Sequence, residues 1–148
     1  MKKMLLIVVL SLFVCKSVLA TDISGYWSGY FSSNLVVSSY VYMQLDQFGK
    51  TVNGTVSGDD GFKGKIRGTV KGQNFKFKIQ QTTKKCKGNF KGNATVHFKY
   101  LKTIGEKLQF EDAQFDLKSS TSYYMEFTFT GKNCKGTHKN GEGYVVKQ

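Results

Sequence analysis

The chain contains no proline, one tryptophan and one arginine among its 148 residues. No proline-rich linker or low-complexity tail marks a second domain, so one compact domain is expected. No stretch sustains the helical period of apolar residues. The motifs of serine hydrolases, zinc proteases, phosphate-binding loops and dinucleotide-binding folds are also missing. These absences predict a protein that acts by binding and not by catalysis, with no cofactor.

Metal ligands and catalytic side chains are sparse. The two histidines, His97 and His138, are far apart in sequence and no Cys-x-x-Cys pair occurs, so no metal site is predicted. We interpret His97 as a solvated strand residue and His138 as a turn residue in a glycine-rich stretch. Asp59-Asp60-Gly61 lacks the further ligands of a calcium loop and is typical of a hairpin turn. One acidic cluster lies within residues 111–116, and a hydrolase built on it is disfavoured.

Residues 1–20 differ from the remainder of the chain. Two lysines precede an apolar run from Met4 to Val14, and Ala20 closes the segment. This pattern is typical of a secretory signal peptide, and its apolar run is shorter than the roughly 20 residues that span a bilayer. Cleavage after Ala20 is expected, giving a periplasmic or secreted domain over residues 21–148 without a transmembrane segment. Lipidation at Cys15 is disfavoured because a valine precedes it.

Cleavage at this position leaves two cysteines, Cys86 and Cys134. An even number of cysteines in an exported chain predicts one disulfide bond, which would close a long loop. Two reduced, buried thiols are the alternative.

The expected domain is strongly basic. Residues 21–148 contain 19 basic and 10 acidic side chains, a net charge of +9, and Arg67 is the only arginine. Ammonium groups suit diffuse attraction to anionic surfaces better than bidentate recognition, so sequence-specific nucleic-acid binding is disfavoured. The alternative is that the lysines keep the protein soluble and protect sheet edges.

Apolar and polar residues alternate along most of this domain, which indicates strands buried on one face. Short turns rich in glycine and asparagine separate them, and a slip of the alternation near Asp112 predicts a β-bulge. The predicted strands are Ile23–Ser32, Ser39–Phe48, Thr51–Ser57, Phe62–Lys71, Asn74–Gln81, Lys87–Tyr100, Lys107–Leu117, Tyr123–Thr130 and Gly143–Lys147. We therefore expect an all-β fold, a single antiparallel up-and-down β-barrel of eight or nine strands, with a β-sandwich as the alternative.

The first predicted strand opens with Ile23-Ser24-Gly25-Tyr26-Trp27. This Gly-x-Trp opening, followed by a meander of hairpins, resembles calycin-type barrels, the group of lipocalins, fatty-acid-binding proteins and avidins. The resemblance implies that Trp27 packs across one end of a ligand-holding barrel. The lipocalin Thr-Asp-Tyr turn is missing, Arg67 does not match their C-terminal arginine, and a single tryptophan disfavours a biotin site. The resemblance transfers no binding residue.

Lysines recur on the outward side of three successive predicted strands. The predicted basic face consists of Lys63, Lys65, Arg67, Lys71, Lys76, Lys78, Lys87, Lys91 and Lys99. Such a face attracts anionic lipids, glycans or nucleic acid in a salt-dependent way. Outward aromatic residues for base stacking are scarce there. Tyr40, Tyr42 and Tyr124 lie on other strands and form a candidate patch for a sugar or a protein.

Three functions follow as hypotheses. In the first, the barrel interior or its mouth holds a small hydrophobic or amphipathic ligand. In the second, the basic face docks on anionic components of the cell envelope or of a host surface. In the third, the domain inhibits an extracellular enzyme, although its positive charge disfavours a basic target.

Overall fold

The computed structural model describes residues 20–99 and 122–148. Its strands are β1 (Gly25–Ser33), β2 (Val36–Phe48), β3 (Thr51–Gly58), β4 (Lys63–Lys71), β5 (Asn74–Gln81), β6 (Gly88–Lys99), β7 (Ser122–Asn133) and β8 (Gly136–Lys147). Each strand pairs antiparallel with its neighbour in sequence, and β1 also pairs with β8. The fold is therefore a closed up-and-down β-barrel, which confirms the predicted fold class. Across the described ranges, no helix is long and apolar enough to cross a membrane.

The strand boundaries differ from the prediction mainly in β8. This strand begins at Gly136, seven residues before the predicted start, so the interpretation of His138 as a turn residue is wrong. The pairing of β8 with β7 shifts register between Phe129 and Gly131, and Asn140 has a φ of 50°. A bulge of this kind reverses the alternation of side chains, and asparagine tolerates the left-handed conformation. The predicted strand Lys107–Leu117, with its Asp112 bulge, lies outside the described residues.

Phenylalanine rings and glycines alternate across the inner surface from β4 to β8. The cross-strand row is Gly68, Phe77, Gly92, Phe129 and Gly141. A Cβ atom placed on Gly92 would lie 2.5 Å from the Phe77 ring, and one on Gly141 would lie 2.5 Å from the Phe129 ring. These glycines therefore leave the space in which rings from neighbouring strands lie against the sheet.

The other inward positions are filled mainly by aliphatic side chains. Ile66, Val70 and Val96 are almost completely buried, together with Met125 and Val145. Phe98, near the end of β6, continues the inward alternation of Val96 but is 43% exposed. The core thus fills most of the barrel and leaves the outer surface to carry the charged residues.

Candidate functional site

The outer surface of β4, β5 and β6 carries the predicted basic face, here named the lysine wall. Alternation places its described members within these strands outward, and Lys87 lies directly before β6. All of these residues are exposed: Lys63, Lys65, Arg67, Lys71, Lys76, Lys78, Lys87 and Lys91. Lys99 ends β6, and its side chain lies outside the described part of the chain. Because the three strands are consecutive in the barrel, these cations share one side of the molecule.

Three cations of the lysine wall are direct cross-strand neighbours. Arg67 on β4 lies opposite Lys78 on β5, and Lys78 lies opposite Lys91 on β6. Side chains that face each other in this way have Cβ atoms about 4.5–5.5 Å apart, and like charges at such positions destabilise a sheet. This central cation row is bounded by two uncharged residues, Asn53 on β3 and Thr130 on β7. The folded barrel therefore holds these positive charges close together, and a bound anion would reduce their mutual repulsion.

Carboxylates do not neutralise this row within the described ranges. The one contact between a basic side chain and a carboxylate found there within 4.0 Å joins His97 and Glu126, with 3.4 Å between Nε2 and Oε2. Asp60 accepts a hydrogen bond of 3.0 Å from the Phe62 amide, and Asp22 accepts one of 2.9 Å from the Ser24 amide. The hydrogen bonds from Ser24 lower the pKa of Asp22. Asp60 therefore serves the β3–β4 turn and Asp22 the segment before β1, while Glu126 lies on β7, outside the three strands that carry the central cation row.

An open groove of ≈ 1690 Å³ follows the outer surface from β4 to β8. The surface of a barrel is concave along its strands because twisted strands give it a hyperboloid shape. The glycine–phenylalanine row contributes to the floor, and asparagine, threonine and glutamine side chains line the sides between the cations. Glu142 lies at the β8 edge. The cations that line the groove are Lys65, Arg67, Lys76, Lys78 and Lys91.

The opposite side of the barrel carries tyrosines where the lysine wall carries cations. Its members on β1, β2 and β8, here named the tyrosine wall, are Tyr26, Tyr30, Tyr40, Tyr42 and Tyr144. Tyr30 contacts Tyr40, with ring centroids 4.0 Å apart, and Tyr144 lies 6.0 Å from Tyr30. A hydrogen bond between the hydroxyl groups of Tyr30 and Tyr40 raises the pKa of Tyr30 to about 12.

The predicted tyrosine patch is brought together only in part. The rings of Tyr40 and Tyr42 lie 6.4 Å apart and nearly parallel. Tyr124 instead stacks on the His97 ring, at 4.7 Å between centroids. His97 is half-buried between this ring and Glu126, so it occupies an outward strand position.

One end of the barrel is closed by Trp27, and we call it the closed end. Its side chain is fully buried, and its indole N–H donates a hydrogen bond of 2.9 Å to the Ile23 carbonyl oxygen. The Ile23 amide in turn donates to Gln47 Oε1 at 2.9 Å. The Nζ atom of Lys147 lies 5.9 Å from the indole centroid. The polar atom of the tryptophan is thus satisfied in an otherwise apolar position.

The other end, here named the mouth, is crossed by a disulfide bond. Cys86 in the β5–β6 turn is bonded to Cys134 in the β7–β8 turn, with Cα atoms 5.3 Å apart. This bond confirms the predicted pairing. It fastens together two turns that lie 48 residues apart in sequence.

A cavity of ≈ 60 Å³ lies inside the mouth. Its lining is largely apolar and includes Phe62, Phe90 and Phe129, while Asp60 and Lys135 also contribute to it. Pockets for drug-sized ligands have volumes of roughly 300–1,000 Å³. The interior therefore has room for only a few heavy atoms.

Sequence reasoning missed one residue of this cavity, His138. It is 4% exposed, and the bulge at Asn140 hid its inward position. Over the described ranges, no group of three or more His, Cys, Asp or Glu side chains could hold a metal ion. The acidic cluster in residues 111–116 lies outside those ranges.

Comparison of the chain with family models, curated proteins and solved structures finds no match.

Proposed function

We propose that this protein is an exported binding module whose lysine wall holds a linear acidic polysaccharide. The central cation row carries the proposal, because its like charges oppose one another on three strands without a neutralising carboxylate in the described structure. An acidic polymer would place its charges over the row and remove that repulsion. The disulfide bond supports an oxidising compartment.

The shape of the groove favours a polymer over a membrane. A flat bilayer meets the rim of a concave surface, whereas a chain-like ligand can lie along its floor. The asparagine, threonine and glutamine side chains between the cations can also exchange hydrogen bonds with sugar hydroxyls. These features favour an acidic glycan as the ligand of the groove.

The chemistry of the groove disfavours single-stranded nucleic acid. Such ligands depend on aromatic platforms for their bases. The phenylalanines that line the groove, Phe77, Phe90 and Phe129, belong to the inward faces of their strands. The exposed tyrosines lie on the other side of the barrel. Lysine ammonium groups and one arginine suit the diffuse charge of a polysaccharide.

We further propose a calycin-like architecture for the barrel. The support is the position of Gly25-Tyr26-Trp27 at the start of β1, together with burial of Trp27 at the closed end of an eight-stranded meander. The similarity proposed is one of barrel architecture alone, and no ligand is inferred from it.

The decisive experiment measures binding to polygalacturonate, with neutral dextran, single-stranded DNA and anionic lipid vesicles as the other probes. The test variant is Arg67→Gln/Lys78→Gln/Lys91→Gln, which keeps the barrel interior unchanged. Its control, Lys50→Gln/Lys84→Gln/Lys139→Gln, removes the same charge at exposed sites outside the groove. We expect the first variant to weaken binding by roughly 3- to 150-fold at low salt and to flatten the salt dependence, since each of the three exposed ion pairs contributes ~0.2–1 kcal/mol.

Equal losses in both triple variants would show that net charge alone drives binding and would overturn the proposed site. Tighter binding to vesicles or to DNA than to polygalacturonate would overturn the ligand class. Thermal unfolding of both variants checks that the barrel remains intact.

A further inference from the structure

Two polar side chains at the mouth, Gln81 and His138, are almost completely buried and incompletely hydrogen bonded among the described residues, and of the two it is His138 that lines the cavity. Its Nδ1 atom lies 3.0 Å from Ser33 Oγ, and its ring meets the edge of Phe90 with centroids 5.3 Å apart. The Nε2 atom is buried and has no hydrogen-bond partner among the described residues. A buried polar group without a partner costs roughly 1–3 kcal/mol, so this atom calls for an explanation.

A hydroxyl both donates and accepts, so the contact of Ser33 with His138 is compatible with either neutral tautomer of this ring. Ser33 Oγ accepts a hydrogen bond of 3.2 Å from the Leu35 amide, which leaves the serine proton free for donation to His138 Nδ1. With Ser33 as the donor, Nδ1 is the acceptor and Nε2 carries the ring proton. Burial, reinforced by the nearby Lys135, lowers the pKa of His138 and keeps the imidazole neutral. In this tautomer, His138 presents a buried N–H donor to a largely apolar cavity.

The cavity limits what can accept that hydrogen bond. His138 lines the ≈ 60 Å³ space together with Phe62 and Phe90, and Met43 and Ile79 are among the other apolar residues of the lining. An empty cavity of about 150 Å³ is large enough for benzene, so this one admits only a smaller group. Asp60 and Lys135 also line the cavity, but both residues are exposed. An ionised group inside the cavity would therefore lose its hydration with a neutral histidine as its buried partner, and such burial is costly.

We propose that the mouth is a second binding site, which takes a neutral oxygen acceptor carried on a short alkyl group. The oxygen accepts from His138 Nε2–H, and the alkyl part packs against the rings of Phe62 and Phe90. A small alcohol, aldehyde or ketone has this chemistry, and so does the same end group on a longer lipid whose remainder extends through the mouth. The site is independent of the lysine wall.

The test uses the oxidised protein with butanone as the probe. Pentane, of similar size without an oxygen, and butyrate, the anionic counterpart, are the comparison probes. The readouts are the imidazole nitrogen resonances of His138 and the methyl resonances of Met43 and Ile79, both of which line the cavity. We expect butanone to shift all three in a saturable way and to bind about tenfold more tightly than pentane or butyrate.

A His138→Phe variant removes the donor and keeps an aromatic ring, and we expect it to bind butanone about tenfold more weakly. The imidazole readout requires only the unmodified protein, so the test stands if this variant fails to fold.

Tight binding of butyrate would overturn the neutral ligand class. The site would be overturned if a water molecule bound to Nε2 were not displaced by butanone. It would also be overturned if the His138, Met43 and Ile79 resonances showed no saturable shift. If longer ketones bind more tightly than butanone, the natural ligand is the end group of a lipid. If longer ketones bind more weakly, the natural ligand is a small molecule.

Discussion

The two ends of the barrel each bury a ring that carries an N–H group, and they treat that group differently. At the closed end, the Trp27 indole donates to the Ile23 carbonyl oxygen, and both residues are fully buried. At the mouth, His138 Nε2 is buried without a partner among the described residues, beside a small cavity. The closed end therefore has the organisation of a structural core. The mouth retains an unfulfilled hydrogen bond, which is the organisation of a binding site.

Truncation of the two rings tests most directly whether the two ends of the barrel have different roles. We expect Trp27→Ala to lower the free energy of unfolding by roughly 3–5 kcal/mol, because it leaves a large cavity in a packed position. His138→Ala should cost less than half as much, since it removes an unsatisfied donor next to space that already exists. Urea unfolding of both variants measures the difference, with Asn93→Ala on the exposed face of β6 as a neutral control. Similar losses at both ends would contradict the assignment of different roles.

The disulfide bond should stabilise the mouth more than the closed end. We expect the Cys86→Ser/Cys134→Ser double variant to lose roughly 2–4 kcal/mol, since the bond closes a long loop of the unfolded chain. Hydrogen exchange should accelerate most in the β5–β6 and β7–β8 turns, with little local change around Trp27. Uniform acceleration along the whole chain would show that the bond acts globally and does not distinguish the ends.

A smaller effect should appear in the pH dependence of stability. His138 has an ordinary pKa of 6.5, and burial together with Lys135 lowers its pKa in the folded protein, although Asp60 acts in the opposite direction. As the pH falls below about 6.5, the unfolded chain binds a proton that the folded chain does not, so stability decreases. We expect a larger loss between about pH 7.5 and about pH 5.5 in the unmodified protein than in His138→Phe. Equal losses would mean that His138 titrates normally in the folded state.

The sequence predicts the barrel well because alternation is a local signal. In β5, Phe75 and Phe77 alternate with Lys76 and Lys78, and this pattern alone indicates a strand and its inward face. The outward direction of the lysine wall follows from the same alternation. The disulfide bond follows from the number of cysteines in a chain expected to be exported.

The remaining features depend on pairing between strands, which alternation does not encode. Arg67, Lys78 and Lys91 become neighbours only through the register of two hairpins. His138 escaped prediction because the bulge at Asn140 shifts the alternation and because the surrounding glycines resemble a loop. The groove depends on the curvature of five strands together, and no single segment contains it.

The glycine–phenylalanine row has a consequence for how this scaffold can change. Each glycine and the ring that covers it form a matched pair, so a side chain added at Gly92 would collide with Phe77 unless the ring were replaced as well. The residues between these pairs point outward and contribute little to the core. Substitutions are therefore tolerated mainly at the alternate, outward positions. Evolution or design could replace the charged residues of β4–β6 and so create a different binding surface on the same barrel.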